Sequence, residues 1–142
     1  MKYICNNLKE TEQVASNFAK TLKANAVVAY RGSMGMGKTT FTRSLVTALG
    51  GGDVVSSPTF AIMNEYQTEK FVVYHFDMYR LFGVDDLYAT GFFDFLETGA
   101  IILIEWSENI EEALPSDTIF VELSLGENEN QRIIEIKGGD FW

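Results

Sequence analysis

Cysteine and histidine are almost missing from this chain of 142 residues: each occurs once, as Cys5 and His75. A lone cysteine excludes an internal disulfide, and one cysteine with one histidine excludes a structural zinc site. No apolar run approaches the roughly 18 residues that would span a bilayer. The opening Met1-Lys2-Tyr3-Ile4-Cys5-Asn6-Asn7 meets polar residues at once, without the apolar stretch of a signal peptide. These absences lead us to expect a cytoplasmic protein with no membrane partner. Proline is scarce too: Pro58 and Pro115 both sit at plausible element boundaries. With no linker, repeat or biased segment, residues 1–142 are expected to form one domain.

Positive charge is also in short supply. Eleven basic residues face twenty acidic ones for a net charge of −9, and only four are arginine: Arg31, Arg43, Arg80 and Arg132. Nucleic-acid affinity rests on lysine and arginine neutralising phosphates, so work on RNA would require a partner to hold it. The acidity itself is read first as a solubility device rather than a docking face.

What is plentiful is apolar and aromatic material, 46% and 13% of residues, which excludes a disordered chain. Val14, Phe18 and Leu22 recur four apart over 11–23, predicting an amphipathic helix with Thr11 as its N-cap. Residues 26–30 (AVVAY) form a wholly apolar run, as expected of a strand buried on both faces. A helix over 39–49 is then closed by Gly50-Gly51-Gly52. Two strands, 62–66 and 71–76, suggest a hairpin, and 100–104 a second short buried strand. Residues 83–98 mix helix and turn signals, and 107–114 read as helix up to Pro115. Alternation over 118–125 and 132–137 predicts a closing antiparallel hairpin. The sum is a three-layer α/β domain, a mixed parallel and antiparallel sheet flanked by helices.

Between the first buried strand and its helix lies Gly32-Ser33-Met34-Gly35-Met36-Gly37-Lys38-Thr39, a full match to G-x-x-x-x-G-K-[ST] in the strand–loop–helix setting that the motif requires. Backbone amides of such a loop curl around an anion, and the helix N-terminus adds positive potential. Glycines permit the unusual angles and the close approach. The expected ligands are the phosphates of ATP or GTP with Mg²⁺: Lys38 on the β- and γ-phosphates, the Thr39 hydroxyl on the metal, and Ser33, Met34, Gly35, Met36 and Gly37 contributing mainly backbone.

Transfer or hydrolysis also needs a carboxylate. Ligands of such sheets sit at the carboxyl ends of the strands, and two apolar strands end in acids there, at Asp77 and Glu105. Glu105 is favoured on the metal side and Asp77 as its companion near the γ-phosphate. Pro58 stiffens the segment Ser57-Pro58-Thr59, where Thr59 could act as switch-loop residues do, although from the residues alone an ordinary turn fits as well. Trp106 and His75 read as structural. No Asn-Lys-x-Asp segment is present, which favours ATP over GTP.

In this order the segments GSMGMGKTTF, SSPTF, HFDMYR at 75–80 and IEW at 104–106 resemble the bacterial TsaE (YjeE) ATPases over about residues 8–136. That family usually carries an acidic residue after the first loop glycine, where this chain has Ser33. The resemblance implies an ATPase needed to make threonylcarbamoyladenosine in tRNAs reading codons that begin with adenine. Its partners would be TsaB and TsaD proteins, with tRNA held only through that complex. It further implies Lys38, Thr39 and Thr40 on phosphates and Mg²⁺; Thr59, Asp77 and Glu105 around the γ-phosphate and metal; Trp106 beside the nucleotide; and Thr11 and Arg132 near the base or ribose. A small-molecule kinase, or a nucleotide-dependent binding module that needs no hydrolysis, are the alternatives of other classes.

Overall fold

The computed structural model describes residues 1–32, 37–51, 54–56, 63–78, 84–105, 107 and 110–138. Among them is a sheet of eight strands: β1 (Lys2–Cys5), β2 (Val27–Arg31), β3 (Val54–Ser56), β4 (Met63–Gln67), β5 (Val72–Asp77), β6 (Ile101–Glu105), β7 (Ile119–Leu125) and β8 (Arg132–Lys137). Their order is β1-β8-β7-β2-β6-β5-β4-β3. The central strands β7, β2, β6 and β5 run parallel, while β1–β8, β8–β7, β5–β4 and β4–β3 pair antiparallel.

Helices α1 (Leu8–Ala19) and α2 (Lys38–Ala48) pack on one face. Their Ala15, Phe18, Phe41 and Leu45 join Val28, Tyr30, Leu103, Val121 and Ile134 in one core cluster. The other face carries α3 (Val84–Ala89) and α4 (Phe92–Phe95), whose Leu87 and Phe92 meet Val27, Phe76, Ile102 and Ile104. Successive strand residues point to opposite faces, so β2 gives Val27 to one cluster and Val28 to the other. That double burial is why its sequence is continuously apolar rather than alternating. The expected three-layer mixed sheet is therefore found.

Several local expectations are corrected. The N-cap of α1 is Asn7, not Thr11: the Asn7 side chain accepts from the Glu10 amide at 2.9 Å, and Glu10 reaches back to the Asn6 amide at 3.4 Å. Thr11 sits one turn inside and is buried. Of the expected helix over 107–114, the described residues 107 and 110–114 form no α-helix, and Glu111–Ala113 is a 3₁₀ turn. No side chain of Glu111–Ala113 is buried, too little packing to offset the cost of nucleating a helix. Residues 83–98 become two short helices separated at Gly91, whose φ of 79° is the left-handed turn glycine accepts. Strands β1 and β3 were not expected. Each is short and exists through pairing with a neighbour, β1 with the distant β8.

Candidate nucleotide-binding site

The loop that follows β2 and opens α2 lies at the carboxyl end of the parallel strands, where such sheets bind ligands. Its two ends are described, and both are constrained. Gly32 has φ 125°, and a methyl group there would collide with the Leu123 carbonyl oxygen of β7. Gly37 has φ 99° and is the N-cap of α2 without any side-chain cap. The cap residue thus offers no side-chain oxygen to the first turn of the helix, and a helix N-terminus is the arrangement that receives an anion. Strand and helix are tied beneath the loop by the buried hydroxyl pair Thr42 to Tyr30, 3.0 Å apart, a contact contributing about 1 kcal/mol.

Lys38 is only 7% exposed, an unusual state for an ammonium. Its Nζ donates to the Gly32 carbonyl at 3.0 Å, so a cation is held against the first glycine of the motif. Thr39 faces solvent from the first turn of α2, and Thr40 turns toward a neighbouring cleft.

Asp77 and Glu105 are brought together by strand register. They are direct partners across the β5–β6 pairing, and the Met78 amide continues the ladder to the Glu105 carbonyl at 3.0 Å. Because β6 is the neighbour of β2, Glu105 stands one strand from the loop and Asp77 two. Burial alone would raise the Glu105 carboxyl, but the contact and charge of His75, followed by the charge of Lys38, outweigh it and hold the group below its ordinary value. Nε2 of His75 lies 2.9 Å from Oε2 of Glu105.

This shift predicts an acid dependence of stability. Since the folded value lies below the ordinary 4.5, the unfolded chain takes up a proton that the folded chain refuses once pH drops under that value. The contribution of Glu105 is therefore complete at neutral pH and is lost as pH falls through the folded value. In urea titrations, the stability gap between wild type and Glu105→Gln should be flat down to about pH 5 and shrink below it. A gap unchanged to about pH 3 would contradict the assignment.

Thr11, Gly37, Thr40 and Arg132 meet in one cleft of about 420 Å³, joined by Asn6 and Asn7 on one side and by Glu129 and Asn130 of the β7–β8 turn on the other. Arg132 does not swing freely there. Its Nη1 donates to the carbonyls of Glu129 at 2.6 Å and Gln131 at 3.1 Å. Gln131 in turn reaches Asn6 at 2.8 Å, closing the hairpin against the start of α1. The asparagines were missed in the sequence, although Asn7-Leu8-Lys9-Glu10 is itself a capping signature. Ser33, Met34, Gly35, Met36, Thr59 and Trp106 lie outside the described residues.

Among the described residues no group of three or more His, Cys, Asp and Glu could hold a metal alone. A Mg²⁺ site of the phosphate-binding kind needs less, because one or two protein oxygens act together with phosphate and water. The donor set here fits that pattern: the Thr39 hydroxyl, the Glu105 carboxylate kept ionised, and a buried ammonium to share the anionic charge.

Fold and site together define a P-loop NTPase-like domain. The comparisons with known proteins narrow this. The family model described as threonylcarbamoyl adenosine biosynthesis protein TsaE matches residues 5–134, and the chain belongs to that family. It is similar to the tRNA threonylcarbamoyladenosine biosynthesis protein TsaE of Rickettsia typhi, at 40% identity covering 96% of this chain and 94% of the relative. It is also similar to the protein of that name from Bacillus subtilis, at 32% identity over 94% and 83% of the two chains. The crystal structure of Bacillus subtilis YdiB superposes with a TM-score of 0.75 at 28% identity, covering 99% of this chain and 86% of the other.

Proposed function

We propose that this chain, acting as a single domain, is the ATP-binding and ATP-hydrolysing subunit of the bacterial machinery that makes threonylcarbamoyladenosine in tRNAs reading codons beginning with A. It works in the cytoplasm with TsaB and TsaD proteins. The observation that carries the reading is the meeting of a buried Lys38 with an ionised Glu105 at the carboxyl ends of β2 and β6. Family membership supports the pathway. The net charge of −9 agrees with tRNA being held by the partners. No described helix is long and apolar enough to cross a membrane.

Each residue then has a physical task. Lys38 leaves the Gly32 carbonyl for the β- and γ-phosphates, and the amides of 33–37 wrap the anion. Thr39 and Glu105 hold Mg²⁺, which when bound neutralises charge on the β- and γ-oxygens. Glu105 and Asp77 orient water for attack, with Thr59 near the γ-phosphate and Trp106 beside the nucleotide. Thr40 supports the phosphates. The cleft framed by Thr11 and Arg132 takes the ribose and base; its asparagines can donate and accept hydrogen bonds at once.

Two of the described arginines, Arg31 and Arg132, are engaged by groups of this chain. Arg31 forms a two-pronged pair with Glu111, at 2.9 and 3.1 Å, and stacks on Phe120. Arg132 is held by turn carbonyls. An arginine supplied in trans can raise phosphoryl-transfer rates by roughly 10³–10⁵. The isolated chain is thus expected to hydrolyse ATP slowly and to accelerate when TsaB and TsaD are added. Phosphate release across a titration of the partners measures this; brisk turnover by the lone chain, indifferent to partners, would overturn it.

A further inference from the structure

His75 reads in the sequence as an ordinary strand residue, and in the fold it is not one. It pairs across β5–β6 with Leu103, two residues before Glu105, so His75, Asp77 and Glu105 leave the sheet on the same face as α2. The imidazole and the carboxylate are 12% and 17% exposed, with Nε2 and Oε2 2.9 Å apart. The approach is close but not aligned as a directed hydrogen bond, and both ring nitrogens are buried without such a partner. If this position needed only packing, a phenylalanine or leucine would fill it without burying two polar nitrogens at a desolvation cost. The neighbours on β5 show as much, since Val73 and Phe76 are fully buried hydrocarbon. Polarity here is spent on one carboxylate.

We infer that His75 is a positioning residue that holds the Glu105 carboxylate by Oε2 and so fixes its orientation toward the phosphate loop. The inference rests on the nucleotide-site reading above and deepens it. An acidic side chain at the end of a strand has several rotamers available. Contact with a ring anchored in the adjacent strand restricts them, and Oε1 is then the oxygen left for a metal or a water. The depressed ionisation of Glu105 is consistent with the same contact. Partners that orient metal-holding side chains commonly matter by 10–100-fold in metal affinity or activity.

The test uses the whole chain and three substitutions. His75→Phe fills the ring volume without nitrogen; His75→Gln keeps a donor near the place of Nε2; His75→Asn keeps an amide too short to reach it. Calorimetry gives ATP affinity with and without Mg²⁺, and rapid mixing gives single-turnover phosphate release. For His75→Phe and His75→Asn we expect metal-free ATP affinity within about twofold of wild type, Mg²⁺-dependent affinity lower by about tenfold, and phosphate release lower by a similar factor. His75→Gln should recover most of both. Should His75→Phe fail to fold, His75→Asn carries the same expectation.

Three results would overturn the inference: wild-type Mg²⁺ dependence in His75→Phe or His75→Asn; equal losses with and without Mg²⁺, the mark of a merely structural residue; or no recovery in a folded His75→Gln. Failure of the wild-type chain itself to bind ATP would instead remove the nucleotide-site reading, and the inference with it.

Discussion

Lys38→Ala is expected to lower ATP affinity by on the order of 10²-fold, the value of losing one charge-assisted contact to phosphate. The reason lies in how this lysine waits. It is nearly buried, and its ammonium donates to the Gly32 carbonyl at 3.0 Å. Ligand binding exchanges that neutral acceptor for an anionic one, which favours the bound state, and the ammonium has already been withdrawn from bulk water. The exchange also leaves Glu105 beside a cation that has turned to the phosphates. Lys38→Arg should not rescue, because the planar guanidinium needs more width than a point-like ammonium. Calorimetric titration with ATP, with circular dichroism to establish folding, measures the effect. An affinity equal to wild type in folded Lys38→Ala would remove the loop from the binding site.

Glu105→Gln separates catalysis from binding. The amide keeps the shape of the side chain but loses its charge, so metal-free ATP affinity should stay level or rise slightly as repulsion between carboxylate and phosphate disappears. Single-turnover phosphate release should fall by about 10²–10⁴-fold, the usual contribution of a positioned acid–base group. Asp77→Asn is the comparison. Asp77 lies one strand further from the loop, so its effect on Mg²⁺-dependent binding should be the smaller of the two. If Glu105→Gln stopped turnover while the partner complex still modified tRNA, hydrolysis would be irrelevant and the chain would be a nucleotide-dependent binding module. Full turnover in Glu105→Gln would return the catalytic role to Asp77 or elsewhere.

Much of this site was legible because its signals are local. The spacing of Gly32, Gly37, Lys38 and Thr39, preceded by an apolar run, specifies strand, loop and helix within some fifteen residues. Asp77 and Glu105 stood out by the rule that parallel strands present ligands at their carboxyl ends, and register then made them partners. The N-cap of α1 was misplaced by four residues because Thr11 and Asn7 both suit a cap. What decided between them was the reciprocal Glu10 contact. The turn at 111–113 was overread as helix because sequence periodicity does not reveal how few of its side chains would find a core.

Other features had no local signal at all. His75 alternates like any strand residue, and nothing near it in sequence announces a carboxylate thirty positions later. Strand β1 is four residues long and takes its hydrogen bonds from β8, more than 120 positions away. That pairing closes Asn6 and Asn7 against the β7–β8 turn and forms the cleft that Thr11, Thr40 and Arg132 share.

The sequence by itself therefore determined the phosphate-loop motif, the identity of its lysine and the two strand-end acids, since each depends on residue type and short spacing. Tertiary structure alone decided which acid stands next to that cation, which imidazole lies against the acid and which residues frame the cleft beside α2. Those are consequences of strand order and register, and strand order is chosen by the burial of both sheet faces at once rather than by any segment acting alone.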